Sequence, residues 1–193
     1  MELQHIQIKV YASTPDALYR EHSPIVRAFH RWIQQNVTDE LLIDVADYSH
    51  VPAGPGIILM GHDAFYSVEP GPEDRVGLLY GVKTRREGSN ADRIAHAVNR
   101  ALAAARRLVQ EPGWPEPIDF ATRELLLIAN DRLLTPNTAA SFEALKSDWE
   151  AATATVPELS GARAEYLADD PRERLRLRIR LTQPLSLGTP AVA

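Results

Sequence analysis

Five arginines stand two residues apart near the end of the chain: Arg172, Arg174, Arg176, Arg178 and Arg180. Leu175, Leu177, Ile179 and Leu181 alternate with them. Side chains of a strand alternate between its faces, so all five guanidinium groups share one face and the aliphatic groups the other. Neighbouring guanidinium groups on that face are about 6.6 Å apart, a dense positive line. Guanidinium recognises carboxylate and phosphate in a planar, bidentate way. The chemistry is therefore recognition of an acidic protein partner or an anionic small ligand, with Arg174, Arg176, Arg178 and Arg180 as binding residues. The same line would also suit an ordinary wet face paired across the sheet with acids such as Glu165.

A second group has residue types for metal binding or proton transfer: Asp47, Tyr48, His50, His62, Asp63 and Tyr66. If 41–48 pairs with 56–62 through the turn at 51–56, position 48 faces about 56 and position 62 faces about 42. His50 and His62 then lie about 20 Å apart along the ladder, too far for one ion. No metal site is expected. His62 and Asp63, between Gly61 and Ala64 in an apolar strand, are the candidate catalytic pair.

The loop Asn130–Asn137 is a third candidate. Asp131 and Arg132 could orient a carboxylate or phosphate beside the helix start at Thr138, so Arg132 joins the binding residues. The ordinary role of such a loop is helix capping. The turn Val51-Pro52-Ala53-Gly54-Pro55-Gly56 lacks the lysine and following helix of a phosphate loop and reads as a rigid turn. No Gly-x-Ser-x-Gly, His-Glu-x-x-His, dinucleotide glycine motif or EF-hand loop occurs, and no cofactor is expected.

These residues must be positioned by regular elements. Ile6, Ile8 and Val10 alternate with His5, Gln7 and Lys9, a strand with one buried and one wet face. Residues 12–22 read as a loop with a turn at Thr14-Pro15-Asp16. Ser23 and Pro24 open a helix with Ile25, Phe29, Trp32 and Ile33 on one stripe, ending near Asn36. Residues 41–48, apolar on both faces, suggest a central strand. One long strand covers 57–68, and another 75–83. Ser89 and Asp92 resemble a capping box opening the helix 89–110. Residues 111–117, with three prolines, read as a linker. A strand at 120–129, a helix at 138–155 and strands at 162–168 and 172–181 complete the chain. The last two form a hairpin through Asp169-Asp170-Pro171.

The order β-α-β-β-β-α-β-α-β-β indicates an α+β fold. It implies a mostly antiparallel sheet of about seven strands with three helices on one face. Strand–helix–strand–strand occurs twice, at 3–69 and 120–181, which points to two ferredoxin-like halves, 1–111 and 118–182, of a single domain 1–182. Residues 183–193 read as a mobile tail.

The chain has 193 residues, 45% apolar and 24% charged, within the globular range. It has no cysteine, which excludes disulfides, thiolate catalysis and cysteine-bound metal. The formal net charge is −5, which argues against nucleic-acid binding. Only Lys9, Lys83 and Lys146 among the 21 basic side chains are lysines. No secretory signal or membrane-spanning run is seen, so the expectation is a soluble cytoplasmic protein with no membrane contact.

Three stretches resemble a set of bacterial proteins of unknown function. They are Phe29-His30-Arg31-Trp32-Ile33-Gln34, Ile43-Asp44-Val45-Ala46-Asp47-Tyr48 through Gly61-His62, and Asn130-Asp131-Arg132-Leu133 through Pro136-Asn137. The resemblance covers most of the chain. It implies a bacterial origin and no activity, cofactor or site. The functional expectation is a non-catalytic binding or interaction module, homodimeric, using the arginine face. The alternative is an enzyme with an acid–base or metal site at His62 and Asp63, onto which Asn130, Asp131 and Arg132 converge.

Overall fold

The computed structural model describes residues 1–71, 74–167, 170 and 172–188. The elements in chain order are β1 (Ile6–Tyr11), α1 (Pro15–Tyr19), α2 (Ser23–Gln35), β2 (Leu42–Tyr48), β3 (Gly56–Gly61), β4 (Ala64–Glu69) and β5 (Gly77–Val82). Then come α3 (Asn90–Val109), β6 (Glu124–Ala129), α4 (Ala139–Thr155), a 3-10 turn at Pro157–Leu159, β7 (Arg163–Tyr166) and β8 (Leu175–Arg180).

The strands form one sheet in the order β2-β3-β4-β5-β1-β6-β8-β7. Every neighbouring pair is antiparallel. The class is α+β, as the element pattern indicates. Sheet residues such as Ile8, Tyr80, Leu127 and Leu177 pack in one core with Phe29 and Trp32 of α2, Leu102 of α3 and Leu145 of α4. The opposite face carries a smaller cluster of Tyr11, Leu79, Leu126 and Ile128, against which no helix side chain packs among the described residues.

Two element counts differ from expectation. The stretch 57–68 is a hairpin, not one strand: Met60 pairs with Phe65, and the chain reverses at His62-Asp63. A side chain at position 61 would put its Cβ 2.8 Å from the Ala64 carbonyl, so the reversal requires glycine there. No proline or Asn-Gly signal marks this turn, and the apolar run continues across it. The loop 12–22 contains α1, with Pro15 in its first turn. Among the described residues there are thus eight strands and four α-helices rather than seven and three.

Three placements also differ. β2 is an edge strand, not a central one. Its two-sided apolarity reflects exposed Leu41 and Ile43 rather than burial. β1 is buried on both faces because β5 and β6 flank it and Gln7 and Lys9 are covered. Two ferredoxin-like halves are not formed. Each half does begin with a strand, cross through a helix and return by hairpins to lie beside that strand. However, among the described residues 120–181 has the expected three strands while 3–69 has four, and the two halves share one sheet through β1 and β6.

The helix signals act as the sequence suggests, with one exception. Asp92 N–H donates to Ser89 Oγ at 3.1 Å and Ser89 N–H to Asp92 Oδ2 at 2.9 Å, a complete capping box. Asn36 ends α2 in the left-handed region at φ 52°. The cap of α2 is His22 rather than Ser23, and Pro24 lies in the first turn. Residues 168, 169 and 171 of the β7–β8 connection lie outside the described residues, as do 189–193 of the C-terminal segment. Leu185 and Leu187 of that segment pack in the core.

The supposed linker at 111–117 is docked by an ion pair. Glu111, 4% exposed, accepts from Arg31 Nε at 2.8 Å, Trp32 Nε1 at 2.8 Å and Arg107 Nε at 3.3 Å. It ties α2 to the end of α3. Removing the carboxylate leaves the buried indole N–H without its acceptor and takes from Arg31 and Arg107 the acid they share, though Arg31 keeps the Pro112 carbonyl and Arg107 keeps Gln35. Glu111→Leu should lower unfolding free energy by about 2–4 kcal/mol. The check is a urea titration, with the midpoint falling and the slope unchanged.

Candidate functional site

The open sheet face carries a cleft of about 380 Å³. Its apolar floor is Leu79 of β5, Leu126 and Ile128 of β6 and Phe65 of β4. Register explains the grouping: Lys9 faces Leu79 on one side and Leu126 on the other, while Gln7 faces Gly81 and Ile128. Ala53–Pro55 of the β2–β3 turn and Glu69–Gly71 at the end of β4 form the rim. Phe65 reaches across Gly81: a Cβ at 81 would lie 2.3 Å from the ring. The aromatic floor therefore depends on a residue with no side chain.

Two cations meet the cleft from opposite sides. Lys9 is 1% exposed, and its ammonium donates to the Glu69 carbonyl at 3.1 Å and to Glu69 Oε1 at 3.2 Å. Arg174 is half-buried and donates to Gln7 Oε1 and Asn130 Oδ1, both at 3.1 Å. Both are neutral acceptors.

The rest of the arginine line is differently engaged. Leu177 and Ile179 face the core, and Arg176, Arg178 and Arg180 share the open face, as the alternation indicates. Glu124 collects Arg178 at 3.3 Å, Arg180 at 3.4 Å and Arg75 at 3.0 Å. Arg180 also meets Glu165 at 2.7 Å. Arg172 pairs with Asp170. Acids across the sheet thus take up the outer part of the line, and Arg174 is its member at the cleft.

Arg132 lies apart from the cleft and donates to the Arg172 carbonyl. Asp131 accepts from the backbone N–H groups of Leu134 and Leu133, both at 3.1 Å, and from His5 at 3.2 Å. These contacts, the Leu134 N–H above all, hold its carboxyl below the usual range. Thr138 Oγ1 accepts from Ser141 N–H and caps α4. The loop is built for capping.

His62 and Asp63 occupy the tip of the β3–β4 hairpin rather than an apolar strand. Their side chains are 66% and 50% exposed, and they bond each other at 2.9 Å. β5 and β1 lie between β4 and β6, so three strand spacings, about 14 Å, separate this tip from Asn130 and Asp131. The structure does not bring the two groups together. His50 follows β2 at the opposite end of β3, since Tyr48 faces Gly56 and Leu42 faces Gly61. Among the described residues no three histidine, aspartate or glutamate side chains gather around a point that could hold a metal ion.

Sequence reasoning missed a polar network on the helix side. Glu40, just before β2, accepts from Tyr66 at 2.5 Å and from Tyr80 at 2.7 Å. Tyr80 has one proton and gives it to Glu40, so His96 Nε2, 3.2 Å from the same oxygen, must be the protonated nitrogen and donate. Burial, then the Glu40 carboxylate, pushes both phenols above their ordinary range. Burial, then Arg86 and Arg100, pushes His96 down to about 4. The legible signal was two tyrosines at core-facing positions, whose hydroxyls need a buried partner. A second cleft of about 370 Å³ adjoins this network beside Arg100, Arg106 and Arg107. Asp39, Glu158 and Glu111 pair with these three arginines in turn.

Compared with protein-family models, curated proteins and solved structures, the chain matches none. Residues and geometry alone carry the functional reading.

Two outcomes test this geometry. Gly81→Ala should cost about 1–3 kcal/mol by displacing the ring, and in a Phe65→Leu background it should cost less, a coupling read by a double-mutant cycle. His96 binds its proton more weakly folded than unfolded. Between pH 6.5 and about 4 the unfolded chain therefore holds more protons, and stability falls as pH drops through that window. Chemical denaturation of His96→Gln at stepped pH should show a flatter dependence there.

Proposed function

We propose that the protein is a non-catalytic binding module whose open sheet face takes a small amphipathic anion. The apolar body lies over Leu79, Leu126, Ile128 and Phe65, and a carboxylate or phosphate head meets Arg174. The observation that carries this reading is Arg174 itself. It lines the cleft while bonded to two neutral oxygens, whereas the arginines of the second cleft each meet a carboxylate. A guanidinium with neutral partners keeps its full charge for a ligand.

The cleft volume supports a small ligand over a protein surface, since small-molecule sites span about 300–1,000 Å³. The buried Lys9–Glu69 pair, itself balanced, closes the far side and gives the ligand's other end a polar boundary.

Paired titrations with octanoate and octanol test the reading, because the two share an apolar body. The wild type should bind octanoate more tightly. Arg174→Gln should weaken octanoate by about tenfold or more and leave octanol unchanged. Equal octanoate affinity in the variant and the wild type would refute the reading.

A further inference from the structure

The two edges of the sheet are built differently. β7 is four residues long and presents Arg163 and Glu165, a short charged edge of the kind that discourages pairing. β2 is seven residues long; it carries the acids Asp44 and Asp47 and a register shift between Leu42 and Asp44, but its edge is longer and its charge is of one sign. Leu41, Ile43, Tyr48 and Val51 on it and beside it are 64%, 54%, 44% and 41% exposed. Among the described residues only Met1 and Leu133 are other large apolar side chains as open.

The charge of this edge has one sign. Asp39, Asp44 and Asp47 are exposed, and no basic residue falls between 39 and 49. Asp39 meets Arg100 of α3, which leaves Asp44 and Asp47 as the acids of the strand itself. Asp44 also accepts from the Val45 N–H at 2.8 Å, so an edge amide is capped by a side chain where a further strand would otherwise pair. Glu40, held by Tyr66 and Tyr80, fixes the entry into this strand. The edge is therefore anchored at its start and open along its outer side.

We propose that β2 docks an extended, basic, β-branched segment of a partner polypeptide as a ninth strand. Main-chain pairing supplies the affinity of such additions, and side chains supply the selectivity. Cations opposite Asp44 and Asp47 set the register, and drawing the Asp44 carboxylate onto a cation frees the Val45 N–H for pairing. Apolar side chains of the segment cover Ile43 and Tyr48. A second copy of this chain is the wrong occupant, because β2 laid beside β2 offers no lysine or arginine to Asp44 and Asp47. This inference is independent of the cleft.

The probe is a capped eight-residue peptide of valine and threonine with two lysines three positions apart. Titrated into the full-length protein, it should shift amide resonances within 41–51. The same peptide with N-methyl groups on alternate amides along one edge, made in both alternations, should lose binding in at least one of them. Asp44→Lys with Asp47→Lys should weaken the unmodified peptide by about tenfold or more, with the circular dichroism spectrum unchanged. The proposal fails if both methylated peptides bind as well as the parent, since charge alone would then suffice. It also fails if the shifts fall away from β2, if no binding occurs, or if sedimentation shows that β2 is already closed by a second copy.

Discussion

The fold depends on β1 being paired on both sides. The first strand of the chain sits between β5 and β6, which follow it at long sequence separation. Among the described residues its pairing with β6 is what joins the five-strand half β2-β3-β4-β5-β1 to the three-strand half β6-β8-β7 within the sheet. All six of its residues are buried. On the helix side, Ile6, Ile8 and Val10 enter the main core. On the other side the same pairing buries Gln7 and Lys9, whose polar ends must then be satisfied in place. Gln7 accepts from Arg174, and Lys9 meets Glu69. The polar boundaries of the cleft are thus a consequence of where β1 had to go.

A sheet with helices on one face must cover its other face by other means. Here three devices do it. Phe65 lies across Gly81, the β2–β3 turn supplies a rim, and the arginines of β8 stand beside the apolar pair Leu126 and Ile128. Long guanidinium stems cover apolar surface while the heads stay wet. Glu124 gathers two of those heads, Arg178 and Arg180, together with Arg75, which lowers their mutual repulsion, while Arg174 at the cleft keeps neutral partners.

Much of the fold was legible because hydrophobic period reports local geometry. The alternation in β8, the capping box at Ser89 and Asp92, and the stripe of α2 all reappear as read; in β1 the apolar face does, but the face read as wet is buried. What failed was long-range. Nothing within residues 5–10 says that Gln7 and Lys9 will be buried beside a strand whose paired residues lie 66 to 74 positions away. Residues 41–48 show apolar groups on two faces, and only the strand order reveals that two of these, Leu41 and Ile43, are exposed at an edge. The hairpin at His62-Asp63 was hidden because its turn needs only Gly61, and that one change moves the candidate catalytic pair from a strand interior to an exposed tip. The arginine face was legible, but its division was not. Which guanidinium keeps neutral partners depends on Glu124 and Asn130, set by the pairing of β6 with β8. The network of Glu40, Tyr66, Tyr80 and His96 joins a loop, two strands and a helix, and no local spacing could signal it.

The central claim is that the open face, not the helix side, holds the ligand site. Amide-resolved NMR of the uniformly labelled protein during an octanoate titration tests it most directly. The account predicts saturable shifts at Gln7, Lys9, Leu79, Leu126 and Ile128 and at Arg174. Shifts confined to α3 around Arg100 and Arg107, or no saturable shifts at all, would contradict it.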